Sequence, residues 1–127
     1  MSAFTDYVRN VFGRKSAGSL SIVQIVADIA GASGAVTLDV DDSSPEVTIA
    51  RATTGQYTIT FPGCQTVAVV GAHTLLAEAV GSAIYFESLS ASAGTGAFET
   101  AVNTAAATAA DPADGSRLFI TLLCGKN

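Results

Sequence analysis

His73 is the single histidine of the chain and the first residue to consider for acid–base chemistry. A catalytic triad also needs a nucleophile and an orienting acid. No serine lies in the G-x-S-x-G context of a nucleophile elbow. The flanking Ala72 and Thr74 continue a strand pattern. We therefore interpret His73 as a structural or surface residue.

The densest group of oxygen ligands is the acidic segment 39–46, which reads Asp-Val-Asp-Asp-Ser-Ser-Pro-Glu. Calcium prefers several carboxylates at one site, so an ion site is one interpretation. The segment lacks the glycine and the final glutamate of an EF-hand loop. Asp and Ser also initiate turns, and the sequence favours a solvated hairpin tip.

Three isolated glutamates, Glu78, Glu87 and Glu99, stand on separate predicted strands. A glycosidase needs two carboxylates that face each other across a sugar, and any pair among these could do so in some fold. The segment 94–96, Gly-Thr-Gly, lacks the third glycine and the strand-to-helix context of a dinucleotide site, and favours a tight or mobile loop. We expect no enzymatic activity, no cofactor and no metal site.

The two cysteines, Cys64 and Cys124, are too far apart in sequence to form the close pairs of a metal motif. A disulfide would require neighbouring strands, which the sequence alone does not establish. The favoured alternative is that both are buried thiols that act as small apolar residues.

Composition predicts a surface built for contact. The chain of 127 residues is 49% hydrophobic, and only 13% of its residues are charged. The length predicts one domain with a core of its own. The charged share is about half the usual one, so Ser, Thr, Gly and Ala must cover the surface. Such a surface suits packing against copies or partners; the alternative is a monomer with a neutral surface.

Residues 1–20 form a distinct arm. Its apolar residues recur at intervals of three and four and predict one face of a short helix: Phe4, Tyr7, Val8, Val11 and Phe12. Thr5 is the predicted cap of this helix, and Gly13 is its predicted end. An isolated helix this short is marginal in water. Its aromatic face therefore needs a partner, which is this domain, a neighbouring subunit or another protein.

The charge of the chain is divided unevenly. Arg9, Arg14 and Lys15 face only Asp6 in the arm, whereas the rest of the chain carries three basic and ten acidic residues. A cationic end on an anionic body indicates contact with an acidic neighbouring surface. Three basic residues make too few phosphate contacts for nucleic acid. No apolar run is long enough for a membrane span, and the start lacks a secretory h-region, so we expect cytoplasmic synthesis.

The segment 56–61, Gln-Tyr-Thr-Ile-Thr-Phe, alternates strictly and predicts a half-buried strand with Tyr57, Ile59 and Phe61 in the core. Further strands are predicted at 21–29, 35–41, 47–52, 65–71 continuing to 74–79, 83–90, 97–103 and 117–124. Hairpin or turn segments are expected at 31–34 and 111–115, and the last strand, apolar on both faces, is expected to be central. The alanine tract 104–113 fits either a helix or an extended loop.

About eight strands separated by turns predict an all-β protein, an antiparallel β-sandwich of jelly-roll-like type over residues 21–127. The patterns do not specify the order of the strands in the sheets.

The segments 54–63 (TGQYTITFPG) and 111–120 (DPADGSRLFI) resemble the β modules of tailed-phage structural proteins. In capsid decoration (cement) proteins and fibre tips, a TGxYTxTF strand and a DPxDGS turn before the last strand are common. The resemblance implies a homo-oligomer, expected to be a trimer, that binds a capsid or tail surface. The compact chain, without a collagen-like or heptad shaft, favours a decoration protein on the virion capsid.

With that role, the expected partners are the major capsid protein and further copies of the chain, with neither nucleic acid nor membrane. The arm is the expected capsid contact, through Phe4, Tyr7, Arg9, Phe12, Arg14 and Lys15. The alternative function is a tail-fibre tip or a receptor- or carbohydrate-binding module, in which Tyr85 would stack on a sugar.

Overall fold

The computed structural model describes residues 20–31, 33–75, 82–102 and 108–125, with the side chains of Leu75, Ser82, Val102 and Thr108 excepted. Residues 1–19 of the predicted arm and the glutamate Glu78 lie outside these residues. Nine strands occur in the described part: β1 (Leu20–Ala30), β2 (Ala35–Leu38), β3 (Thr48–Thr53), β4 (Gln56–Thr60), β5 (Thr66–Leu75), β6 (Ser82–Ser90), β7 (Thr95–Val102), β8 (Thr108–Ala109) and β9 (Arg117–Gly125).

The strands form two antiparallel sheets. Sheet A has the order β2-β1-β9-β5, and sheet B has the order β3-β4-β7-β6 with the two-residue β8 beside β7. Three pairs, β1–β2, β3–β4 and β6–β7, are hairpins of consecutive strands, whereas β1–β9, β5–β9 and β4–β7 join distant parts of the chain. The predicted all-β antiparallel sandwich of about eight strands is therefore confirmed.

One hydrophobic core fills the space between the sheets. Sheet A contributes alternate residues of β1 and β9, and sheet B contributes residues of β4 and β7. The largest fully buried side chains are Tyr57, Phe98, Ile25, Ile29, Ile59, Leu118, Ile120 and Leu122. The rings of Tyr57 and Phe98 stack with centroids 5.4 Å apart. Both cysteines lie in this core as buried thiols, as favoured from the sequence.

The period of two along β4 places each residue where the alternation predicts it. Tyr57, Ile59 and Phe61 are at most 5% exposed, whereas Thr58 and Thr60 lie on the outer face. Strand β9 lies between β1 and β5, which confirms the central position expected from its apolar character. Most strand bounds differ from the predicted ones by one or two residues.

The alanine tract lies only partly within the described residues. Thr108–Ala109 pairs with β7 as a short strand, while residues 103–107 lie outside the described part. Strand β2 is shorter than predicted, because the chain turns at Asp39, whose carboxylate accepts hydrogen bonds from the N–H groups of Asp41 and Asp42. In the described residues, no helix is long and apolar enough to cross a membrane.

Candidate functional site

Two rows of residues on the outer face of sheet B form a neutral, hydroxyl-rich surface, called here the neutral face. Two complete rows of residues cross all four main strands in register. The first row is Thr48, Thr60, Thr95 and Ser90, and the second is Ala50, Thr58, Ala97 and Ser88. Neither row contains a charge, and most of its members are exposed. Small side chains lose little conformational entropy when another surface covers them.

A third row, next to the neutral face, is the chemically richest part of this surface. Glu99 of β7 pairs with Gln56 of β4 on one side and with Tyr85 of β6 on the other. Directly opposed residues of an antiparallel pair share one face of the sheet, so these three side chains form one row. The Tyr85 side chain is 54% exposed. Glu87 lies at a bulge between Phe86 and Ser88, and its side chain contacts that of Glu99.

Two of the sequence-predicted glutamates meet in this row. Glu87 and Glu99 form a side-chain hydrogen bond, which is the main reason that the pKa of Glu87 is raised, followed by desolvation and by the charge of Glu99. A hydrogen bond between two carboxyl groups requires one of them to hold a proton.

The acidic segment lies against sheet A and surrounds a cation. Asp39 and Asp42 accept hydrogen bonds from Nη2 of Arg117, the latter at 3.0 Å, and Asp28 lies 3.6 Å from Nε of the same guanidinium. The Arg117 guanidinium also lies 5.6 Å from the ring centroid of Phe119. In the described ranges no group of His, Cys, Asp or Glu has an arrangement that could hold a metal ion. Asp39 and Asp42 attach this segment to the last strand through Arg117.

A second charged cluster is centred on Asp111, at the start of the predicted 111–115 turn. Its Oδ2 accepts a hydrogen bond from Nη2 of Arg51 at 2.8 Å, and its Oδ1 accepts one from the N–H of Gly55 at 2.8 Å. These contacts lower the pKa of Asp111, with the Arg51 hydrogen bond as the largest cause. The cluster thereby ties the chain before β9 to the β3–β4 hairpin.

The turn between β1 and β2 completes this cluster. The Tyr57 hydroxyl donates to the carbonyl of Gly34 at 2.9 Å and lies 3.5 Å from the Asp111 carboxylate. Gly34 has a φ of +69°, and a Cβ atom at this position would overlap the Asp111 side chain. Only glycine combines that backbone conformation with the space available. The sequence indicated both turns separately, but it contained no sign that they meet.

His73 is exposed on β5, as interpreted from the sequence. Gly94 closes the tight turn between β6 and β7, where its N–H donates to the carbonyl of Ser90 at 3.0 Å. The predicted capsid-contact residues Phe4, Tyr7, Arg9, Phe12, Arg14 and Lys15 lie outside the described residues, so their role stays a prediction.

The fold and its surface define an antiparallel β-sandwich whose sheet B carries two uncharged rows on its outer face. No family model, curated protein or solved structure matches the chain. The resemblance carried by the segments 54–63 and 111–120 therefore stays a prediction.

Proposed function

We propose that this chain is a virion structural protein, a decoration protein that binds the exterior of a tailed-phage capsid as a homo-oligomer and stabilises contacts between capsomers. The observation that carries the proposal is the neutral face, where two rows of Thr, Ser and Ala cross sheet B without a charge. The cores of protein interfaces are depleted of charge. Small, stiff side chains also lower the ordering cost of association.

The charges of the body support the same role. The two arginines in the described part of the chain, Arg51 and Arg117, both bind carboxylates of their own domain. These groups hold loops in place, and the acids that remain exposed give the body its negative charge. A cationic, aromatic arm on this body would supply the contact with an acidic lattice. Many copies on one capsid would add avidity to a modest single contact.

The proposal is tested by mixing the protein with empty capsids assembled from the major capsid protein of the same genome. The full chain is expected to co-sediment with the capsids and to raise their melting temperature. A chain that lacks residues 1–18 should keep its far-ultraviolet spectrum and lose capsid binding. A second variant, Thr58→Lys, places a charge in the neutral face and should weaken binding, whereas Val40→Lys, at a valine that is 73% exposed in the acidic segment, should not.

Two results would overturn parts of the proposal. Full capsid occupancy by the truncated chain would exclude the arm as the contact. Failure of the full chain to bind capsids at any ratio would exclude the decoration role itself.

The row of Gln56, Glu99 and Tyr85 favours a second candidate function, a carbohydrate-binding module of a tail fibre. An exposed aromatic ring offers a stacking surface for a sugar, and the adjacent carboxyl and amide groups offer hydrogen bonds to its hydroxyls. Glycan-array binding that is lost in Tyr85→Ala and kept in Thr58→Lys would favour this function. An array with no bound glycan would exclude it for the glycans tested.

A further inference from the structure

Strand β5 has one edge without a partner strand. It is the last strand of sheet A and pairs with β9 over its full length, from Thr66 opposite Gly125 to Leu75 opposite Arg117. In the described part of the chain, no strand lies on its other side. Ten residues at about 3.4 Å each make an edge roughly 30 Å long. Outward-pointing N–H and C=O groups on such an edge are a template for another strand.

The opposite side of sheet A, at β2 and β1, differs from the β5 edge. Strand β2 is only four residues long, and beyond it the acidic segment continues along β1. There the N–H of Asp39 donates to the carbonyl of Val26, and the N–H of Ser44 donates to the carbonyl of Gln24, both at 2.8 Å. Arg117 fixes this segment through Asp39 and Asp42. Beyond the short β2, the chain thus covers the rest of β1 with its own backbone.

The side chains of β5 add no protection to its edge. Sheet edges in monomeric proteins carry lysine, proline or inward-pointing charges that block pairing. Strand β5 contains none of these and reads TVAVVGAHTL. A bulge between Val69 and Gly71 turns Val70 outwards, and this side chain is 64% exposed. The bulge, which elsewhere helps to blunt an edge, here presents a valine to solvent.

We propose that a second copy of this chain occupies the edge, with β5 antiparallel to β5 about a two-fold axis, so that the two copies of sheet A form one continuous sheet. The charge of this edge is compatible with a second copy: each chain carries a net charge of −5, so two copies approach most closely where neither presents a charged side chain, and an uncharged strand edge is self-complementary in its backbone hydrogen bonds. The other long outer strands, β3 and β6, carry Arg51 and Glu87, whereas β5 carries no Asp, Glu, Lys or Arg.

The biological use of this dimer rests on the proposed function as a capsid decoration protein. The test of the dimer in solution does not depend on that function. A two-fold pair is isologous, so each copy presents the same strand to the other. It therefore specifies a dimer as the unit in solution, in place of the trimer that the resemblance implies.

The test is the mass of the full chain in solution, measured by light scattering over a range of concentrations without capsids. We expect twice the chain mass of 12.8 kDa for the wild type. Val70→Lys should raise the dissociation constant of the dimer by about a hundredfold or more, since it places two unpaired ammonium groups in the contact. Val40→Lys is the matched control, because Val40 is 73% exposed and lies in the acidic segment. It should leave the dimer intact.

Hydrogen exchange provides the second readout. The amides of β5 should be protected in the wild type and in Val40→Lys, and should exchange faster in Val70→Lys at equal overall stability. A monomeric wild type, a trimer, or a dimer that Val70→Lys leaves unchanged would each overturn the inference. Because capsids are absent, none of these results affects the capsid-binding test, and loss of capsid binding by the truncated chain would leave the dimer unaffected.

Discussion

The carboxylate of Asp111 binds the guanidinium of Arg51, sixty residues earlier in the chain, with 2.8 Å between Oδ2 and Nη2. The same carboxylate accepts a hydrogen bond from the N–H of Gly55. This relationship joins the segment before β9 to the hairpin of β3 and β4. It thus connects the approach to the central strand of sheet A with the edge of sheet B.

Replacement of Asp111 should destabilise the domain. Asp111→Ala removes the ion pair and leaves the Gly55 N–H without its acceptor, and we expect a loss of about 2 kcal/mol in the free energy of unfolding. Asp111→Asn keeps an acceptor for that N–H and should cost less. Urea unfolding measures both. Asp41→Asn, at an exposed carboxylate of the acidic segment, is the control and should be close to neutral.

The decrease in the free energy of unfolding at acidic pH should depend on the same carboxylate. The pKa of Asp111 is lowered in the folded state, first by the Arg51 hydrogen bond, so on acidification the unfolded chain takes up the proton first. The stabilisation is complete above the unfolded value of about 3.9 and is lost as the pH falls through the folded pKa. As the pH is lowered, the free energy of unfolding should decrease less steeply in Asp111→Asn than in the wild type. An identical decrease in both proteins would contradict this.

The Glu87 and Glu99 pair should act in the opposite direction. The pKa of Glu87 is raised by its contact with Glu99. A raised folded pKa means that stability is complete below the unfolded value of about 4.3 and is lost as the pH rises through the folded value. Glu87→Gln should therefore stabilise the domain at neutral pH relative to the wild type and remove this slope. Thermal unfolding at several pH values measures it, with Glu46→Gln, another exposed glutamate, as the control.

Arg117→Ala should release the acidic segment from sheet A. The substitution leaves Asp28, Asp39 and Asp42 without their common cation, and we expect a loss of about 1–2 kcal/mol in the free energy of unfolding. Amides at 39–46 should exchange faster, while those of β4 and β7 should keep their protection. Unchanged exchange at 39–46 would show that the backbone bonds to β1 hold the segment without Arg117.

Tyr57 should ionise later than an ordinary tyrosine. Burial and then the charge of Asp111 raise its pKa to about 12. The stability that depends on its neutral hydroxyl is present below the unfolded value of about 10 and is lost as the pH rises through the folded value. Tyr57→Phe should remove the highest transition in a tyrosinate absorbance titration. It should also cost about 1 kcal/mol, since the hydrogen bond to the Gly34 carbonyl is lost.

Local patterns determined the strands of this protein and the class of its fold. In β4, the period of two alone placed Tyr57 and Ile59 in the core and Thr58 on the surface, because a strand presents successive side chains to opposite faces. The apolar character of β9 on both faces likewise indicated its central position. The glycine and Asp-rich turns marked where strands end, since turn conformations depend on the few residues within them.

Only the tertiary structure decided which distant residues meet. Asp111 with Arg51, Glu87 with Glu99, and Arg117 with the acidic segment all depend on the order and register of strands far apart in sequence. Side-chain pattern specifies which face of a strand is buried, but not which strand becomes its neighbour. The open edge of β5 follows from the same cause, because an edge is a property of the assembled sheet and not of any single strand.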